Sequence, residues 1–566
     1  MAFVSSDTSA GGARGWRASP LVFKPAVVIL ASVLAAAGIA LAGSLSDICV
    51  GDENVHHRQA TVYALYGERV PYDPQWRCES HVSCALFSTP LWYAGLAVLW
   101  KAWGADSQVL AQVYQAGYFL LFVLSVYFAA RKIWDESAAS WAWLLAATVP
   151  LVCVYSLLLL QDIPGIAVSA VGILLLWRKR FFWAGVAFAA AYLLKMNMLS
   201  FGPWAVLFAA WWSNGGWRQR VWAATLVAAP FAAAFAYDAA WRMAHYGSLG
   251  AWLGVPVGLP GLSGGLAAAC IGLYNSRYTM LYYDPVYSPG GLLTNIGIPV
   301  LVGIPAALCC AWDKASRWLW LSVGLAAAGY LLVFVAPLGF GWASPRYLLP
   351  MLLGLLLLSG RALSRWRFHP WLKGAVVAAV LAQASLACLY VYQQRQIPEG
   401  DKAAYAWIRR NTEPDAVILC SEGLVLTRQT GRCGLWNSPI ADYVVSEASD
   451  AERQDYLRYF HVSYIAIGVR RVYPQVQSEQ RPLGWLSDLA RAAREVPFRL
   501  SVWGSPPSEQ DKRPLGGYSA DFVRAARQAP YLQKVYESPC FLVFKVNLPG
   551  PAPATSPANR LPCGTS

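Results

Sequence analysis

The stretch GDENVHHRQ, residues 51–59, stands just beyond the first long apolar run, PAVVILASVLAAAGIALAGSL, residues 25–45. At a helical rise of about 1.5 Å per residue, that run is long enough to cross a bilayer core of about 30 Å. The stretch after it gathers two adjacent carboxylates, Asp52 and Glu53, two imidazoles, His56 and His57, and the guanidinium of Arg58. If it is helical, Asp52 and His56 share one face and Glu53 and His57 the next. The plainer reading is a solvated loop leaving a membrane helix. The choice depends on where the remaining chain puts its other ionisable groups.

Of 566 residues, 57% are hydrophobic and 13% are charged, where an ordinary soluble domain is about 25% charged. A polytopic membrane protein follows, with room for a soluble domain as well. The net charge of +14 reads as topological, because Lys and Arg concentrate in the short breaks between apolar runs. No basic patch is interleaved with aromatics in a soluble segment, which argues against nucleic acid as a partner. Residues 1–24 carry Arg14, Arg17 and Lys24. They resemble the start of a signal peptide, but the run that follows is too long for one. The expectation is an uncleaved anchor with a cytoplasmic leader.

Candidate spans are 25–45, 109–130, 139–160, 163–177, 181–194, 199–213, 221–240, 291–311, 318–337, 347–360 and 374–393. That makes about 11 transmembrane helices, within a range of about 9 to 13, because the runs from 163 to 213 are short for a crossing. The pair 181–194 and 199–213 reads equally as a hairpin that dips in and returns. The basic breaks are Arg131/Lys132, Arg178-Lys179-Arg180, Arg218/Arg220, Lys314/Arg317 and Arg361/Arg365/Arg367/Lys373. If every span crosses, all five fall on the cytoplasmic side. The run 89–103 is too short to cross and reads as an interfacial helix held by Trp92, Trp100 and Trp103.

This parity puts the remaining polar positions on the outer side: the 52–58 cluster, Asp162, Lys195, Arg242, His245, Arg277, Asp284 and Arg346. Ionisable groups at membrane depth are costly and usually face a cavity or each other. After about residue 394 the composition changes. A helix near 401–411, strands at 416–420, 464–468 and 540–546, and helices near 450–459 and 519–528 predict a soluble α/β domain over 396–548, on the outer side. The tail 549–566, rich in Pro, Ala and Ser, predicts disorder. Twelve cysteines show no metal-type spacing. Cys78 with Cys84, and Cys420 with Cys433, are close enough in sequence to bridge in an oxidising compartment.

The order of motifs resembles the GT-C superfamily of polyprenyl-phosphate-sugar glycosyltransferases. The residues that carry the resemblance are Asp52-Glu53, Ser88-Thr89-Pro90-Leu91-Trp92-Tyr93, Gln161-Asp162, Leu194-Lys195 and Pro345-Arg346-Tyr347-Leu348-Leu349-Pro350. Within the superfamily they are most similar to the bacterial branch that includes protein O-mannosyltransferases and the lipid A aminoarabinose transferase. The resemblance covers about residues 20–395, with the catalytic outer loop at 46–108 in a transmembrane domain of 25–395. Thr-Pro-Leu at 89–91 departs from the more usual Pro-Pro-Leu, and no Trp-Trp-Asp-Tyr-Gly motif occurs, so an oligosaccharyltransferase is not expected.

The resemblance implies transfer of a sugar from a polyprenyl-phosphate monosaccharide to the hydroxyl of a glycan, lipid or protein acceptor. Such transfer needs a base for the attacking hydroxyl and fixed cations for the leaving phosphodiester. The resemblance assigns the base to Asp52, with Glu53 as the alternative, and gives Asp162 the orienting role. Their plainer readings are helix-capping carboxylates. Arg58, Lys195 and Arg346 are the phosphate candidates. Taken alone they also read as a loop ion pair, a snorkelling lysine and an interfacial anchor. His56, His57, Arg277, Tyr278 and Tyr347 are further substrate-binding candidates. Asp52, Glu53, His56 and His57 also suit a divalent ion, but the expectation is that no metal or other cofactor is needed. The expected setting is a bacterial inner membrane, among membrane lipids, with a periplasmic active site. The competing class is a transporter or flippase of lipid-linked sugars. That class should show internal repeats with matching broken helices, and none is seen.

Overall fold

The computed structural model describes residues 21–48, 51–67, 89–104, 107–213, 215–246, 303–308, 312–330, 349–366, 370–420, 423–435, 449–468 and 520–548, with the backbone alone at Asp52 and Arg58. The expectations for Arg277, Tyr278, Arg346, Tyr347, the Cys78/Cys84 pair, most of the leader and the 549–566 tail lie outside them, and His245 is described by its backbone alone.

Helix α1 (Pro25–Ser44) starts on a proline, whose missing N–H is no loss in a first turn. Its Val27, Leu30, Val33, Leu34 and Leu41 are exposed, as a lipid-facing helix requires. The cluster that opens the sequence reading is helical: it begins α2 (Gly51–Tyr66). The expected interfacial helix is α3 (Pro90–Trp103), which buries Trp92, Tyr93 and Trp100 and leaves Trp103 outside. Then come α4 (Gln108–Ile133), α5 (Glu136–Thr148) and α6 (Pro150–Leu157). The last two form one apolar run broken by 50° at Pro150, where the ring removes a backbone donor.

The bundle continues with α7 (Asp162–Trp177), α8 (Phe181–Leu194), a 3-10 turn (Met196–Ser200), α9 (Phe201–Trp212), α10 (Trp217–Tyr246), α11 (Lys314–Tyr330), α12 (Leu349–Arg365) and α13 (Pro370–Gln394). Each run proposed as a span contains helix among its described residues. Among those residues, four helices are long and apolar enough to cross a membrane, or five if the bent pair α5–α6 is one span. Small residues let the helices touch backbone to backbone. A Cβ at Gly185 would meet the Val227 carbonyl at 2.6 Å, and one at Gly360 would meet the Ala142 nitrogen at 2.7 Å. Such packing drives helix association where lipid is as apolar as the helix faces.

Several of the basic breaks meet at one end of this bundle. Arg361 lies 2.8 Å from Asp135, and Arg365 lies 3.2 Å from Asp313. Arg131 pairs with Glu136 at 2.8 Å. Lys179 and Lys314 stand over the adjacent rings of Trp212 and Trp211. Their common end is the arrangement that the sequence parity requires.

The C-terminal domain is α/β, as expected, with α14 (Glu399–Asn411), β1 (Val417–Cys420), α15 (Gly423–Thr430), β2 (Cys433–Leu435), α16 (Asp450–Tyr459), β3 (Val462–Gly468), α17 (Ala520–Gln528), β4 (Leu532–Glu537) and β5 (Phe541–Val546). The sheet order is β2-β1-β3-β5-β4. Strand β1 runs parallel to β2 and β3, and β5 runs antiparallel to β3 and β4. Ala404, Tyr405 and Ile408 of α14 and Leu426 of α15 cover one face of the sheet; Tyr456, Leu457, Phe522 and Ala526 of α16 and α17 cover the other. The suggested Cys420–Cys433 bridge is corrected here. Cys433 pairs with Val417 in register, three residues along β1 from Cys420, and the two cysteines pack on opposite faces of the sheet.

Candidate active site

At the end of the bundle opposite the basic breaks, polar groups are buried in place of apolar ones. The spacing argument for α2 holds for Glu53 and His57, which share a face turned toward two arginines. Glu53 is fully buried, lies 3.0 Å from Nη2 of Arg395, and accepts the Leu159 N–H at 2.9 Å. Burial raises the Glu53 pKa, while Arg395, the Leu159 N–H and the Arg428 charge pull it back. His57 lies under Arg428 of α15. Nη1 is 2.9 Å from Nδ1 and 3.1 Å from Nε2, so it stands over the ring and not in its plane. Burial first, and then the Arg428 charge, lower the His57 pKa to about 3, so the ring is neutral at pH 7. His56 is fully buried, with Nδ1 2.6 Å from the Tyr93 hydroxyl and its ring stacked on that of Tyr93.

Asp162 is the first residue of α7 and is fully buried. Lys195, where α8 ends, brings Nζ to 3.5 Å from each carboxylate oxygen. Gly165 permits this approach, because a Cβ there would stand 2.9 Å from that of Lys195. Thr89 fastens the same corner: its hydroxyl donates to Gln161 Oε1 at 2.9 Å and lies 3.1 Å from the Leu194 carbonyl. Asp162 and Lys195, proposed separately from sequence, are therefore paired at the junction of three helices, with Asp162 fully buried and Lys195 partly so.

Four residues escaped the sequence reading. Arg395 sits at the expected domain boundary and passes there for an end-of-span arginine. Arg428 belongs to a domain read as non-catalytic. Asp47 accepts the Ile397 N–H at 2.8 Å and donates its own N–H to the Arg395 carbonyl at 2.8 Å. Asp238 pairs with Arg242 at 2.9 Å, both side chains fully buried, and accepts the Tyr192 hydroxyl at 2.8 Å. An Asp–Arg pair at i,i+4 within an apolar helix was the available signal.

Among the described residues no three His, Cys, Asp or Glu side chains converge as a metal site. Within the described contacts Glu53 meets Arg395, His56 meets Tyr93 and His57 meets Arg428.

No protein-family model matches the sequence, and no curated protein sequence does either. Solved structures do. The oligosaccharyltransferase AglB from Archaeoglobus fulgidus, in complex with an inhibitory peptide and a dolichol-phosphate, is similar with a TM-score of 0.51 at 13% identity, over 78% of this chain and 69% of that one. The apo form of the Archaeoglobus fulgidus oligosaccharyltransferase gives 0.50 at 11%, over 92% and 88%. ArnT from Cupriavidus metallidurans bound to undecaprenyl phosphate gives 0.43 at 14%, over 94% and 100%. At such identities the likeness speaks to the fold alone: this chain shares its fold with the archaeal oligosaccharyltransferase structures.

Proposed function

We propose that the chain is an integral-membrane glycosyltransferase that moves a sugar from a polyprenyl-phosphate monosaccharide to an acceptor hydroxyl. The observation that carries this reading is the Asp162–Lys195 pair, with Asp162 fully buried, beside the Glu53 and His57 face of α2. Ionisable groups gathered at one end of an apolar bundle mark a site for charged chemistry. The archaeal transferase with this fold was solved with a dolichol-phosphate, which supports a lipid-phosphate ligand here. The absence of a Trp-Trp-Asp-Tyr-Gly motif argues against transfer of a preassembled oligosaccharide.

In this reading Asp52, in the first turn of α2, removes the proton of the attacking hydroxyl. Attack in line with the departing phosphodiester inverts the anomeric centre. Lys195 neutralises charge as it grows on the leaving phosphate, with Arg58 and Arg346 as its companions, and Asp162 holds the Lys195 ammonium in place. Arg277, Tyr278 and Tyr347 contribute to donor recognition. His56 and His57 shape the site through Tyr93 and Arg428. The C-terminal domain roofs the site and selects the acceptor, while the chemistry stays with the loops before it. The positive-inside pattern supports a periplasmic position for this end, in a bacterial inner membrane.

The test is label transfer. Purified protein is incubated with tritiated undecaprenyl-phosphate monosaccharides and a cell-envelope extract. Label is expected to leave the lipid-phosphate fraction in a new glycosidic bond. Movement of the lipid between leaflets without a new bond would favour the flippase instead.

A further inference from the structure

We infer that Arg395 is a positioning residue: with Glu53 it plugs the break between α6 and α7, and so holds both candidate carboxylate segments in one frame. Helix α6 ends at Leu157 and α7 begins at Asp162. The backbone groups between them lose their helical partners in a place with no access to water. Unpaired polar backbone at membrane depth is costly. Gln115 Nε2 serves the Tyr155 and Leu160 carbonyls at 3.2 and 3.0 Å, and the ion pair supplies partners for the groups on either side of Leu158 from outside the segment. Nη1 of Arg395 donates to the Leu157 carbonyl at 2.8 Å, and Oε1 of Glu53 accepts the Leu159 N–H at 2.9 Å. The two side chains meet at 3.0 Å and are 1% and 0% exposed. One charged pair thus gives the break a donor for the Leu157 carbonyl and an acceptor for the Leu159 N–H.

The consequence reaches further because of what each end is attached to. Glu53 is the neighbour of Asp52 on α2, and Leu159 lies three residues before Asp162. The Arg395 carbonyl accepts the Asp47 N–H, and Asp47 accepts the Ile397 N–H, so the entry to the α2 segment is tied to the same point. Lys402 of α14 approaches Asp47 at 3.5 Å, which extends the tie to the C-terminal domain. The inference deepens the transferase reading only in the roles it gives to Asp52 and Asp162; the plug itself is independent of any substrate.

The experiment is hydrogen–deuterium exchange by mass spectrometry on the full chain in lipid nanodiscs, comparing peptides over 157–162 and 51–60 with those over α4 and α12. In Arg395→Met both site peptides are expected to exchange about 10- to 100-fold faster, the loss expected for hydrogen bonds to charged groups, while α4 and α12 stay unchanged. Because that variant leaves a carboxyl buried alone, the double variant Glu53→Met/Arg395→Met is also measured. It carries no orphaned charge and should fold, yet Leu159 has still lost its acceptor, so 157–162 should still exchange faster. Arg395→Lys and Glu53→Gln, which keep a donor and an acceptor in place, should restore protection to within about threefold of wild type. Wild-type exchange over 157–162 in both methionine variants, or a rise spread equally over α4 and α12, would overturn the proposal. A separate arm adds undecaprenyl phosphate alone. Protection near Lys195 in the wild type bears on the transferase reading, and its absence would leave the plug result intact.

Discussion

Acidification should loosen the contact between α2 and the C-terminal domain, and His57 should be responsible. The ring is 3% exposed, so solvent screening is slight. Its pKa falls from 6.5 to about 3 on folding, because burial and then Arg428 oppose the charged form. A group whose folded pKa is depressed contributes stability that is fully present above its unfolded value and is lost as pH falls toward the folded one. Linkage with 6.5 and about 3 gives a loss of about 2 kcal/mol at pH 5, and under about 0.1 kcal/mol at pH 7.5. For a unit of about 150 to 250 residues that is a fall in thermal midpoint of about 4–8 °C. The assay is scanning fluorimetry in nanodiscs from pH 7.5 to 5, with wild type against His57→Gln. The glutamine variant cannot take up the proton and should lose this part of the pH dependence. Equal pH slopes in the two proteins would refute the reasoning.

Other expectations follow from the same geometry. Lys195→Ala should weaken binding of undecaprenyl phosphate about 10- to 100-fold, as loss of a charged donor commonly does, with Lys195→Arg less affected; equal affinities by native mass spectrometry would contradict the role. Gly185→Ala must displace the Val227 carbonyl, which a Cβ would meet at 2.6 Å. Overpacking of this kind costs about 1–3 kcal/mol and should show as a lower melting midpoint, and a wild-type midpoint would contradict it. Asp238→Asn takes the carboxylate charge from buried Arg242 and should destabilise by about 3–5 kcal/mol, whereas Asp238→Leu with Arg242→Met should recover most of it. Equal stability of the single and double variants would count against the ion pair.

Much of the architecture was legible because membrane helices announce themselves in apolar run length. Gln108–Ile133 and Pro370–Gln394 lie close to where their runs predict. The three strands and three helices read in the soluble domain were also found, while α15 and the strands β2 and β4 were missed. With burial pattern intermediate-buried-buried and mostly exposed, respectively, these two strands carry too little apolar signal. The site was legible only where spacing within one helix carries the information. The shared face of Glu53 and His57 follows from i,i+4, but its partners do not. Arg428 is 371 residues from His57, and nothing local distinguishes it from the other arginines of its domain. Arg395 was invisible for the same reason. Its function lies in backbone groups that the α6–α7 break releases, and the break is a tertiary fact that Pro164, in the first turn of α7, hints at without locating.

The most direct test of the central claim is single-turnover transfer by Asp52→Asn against wild type, using the undecaprenyl-phosphate sugar that the label-transfer assay identifies, with product configuration read by NMR. The amide keeps the size of the side chain and removes the base. Loss of a general base commonly costs about 10²–10⁴-fold in rate. The account predicts a fall of that order with undiminished binding of the donor, and an inverted anomeric centre in the wild-type product. A wild-type rate in Asp52→Asn, or retention of configuration, would contradict it.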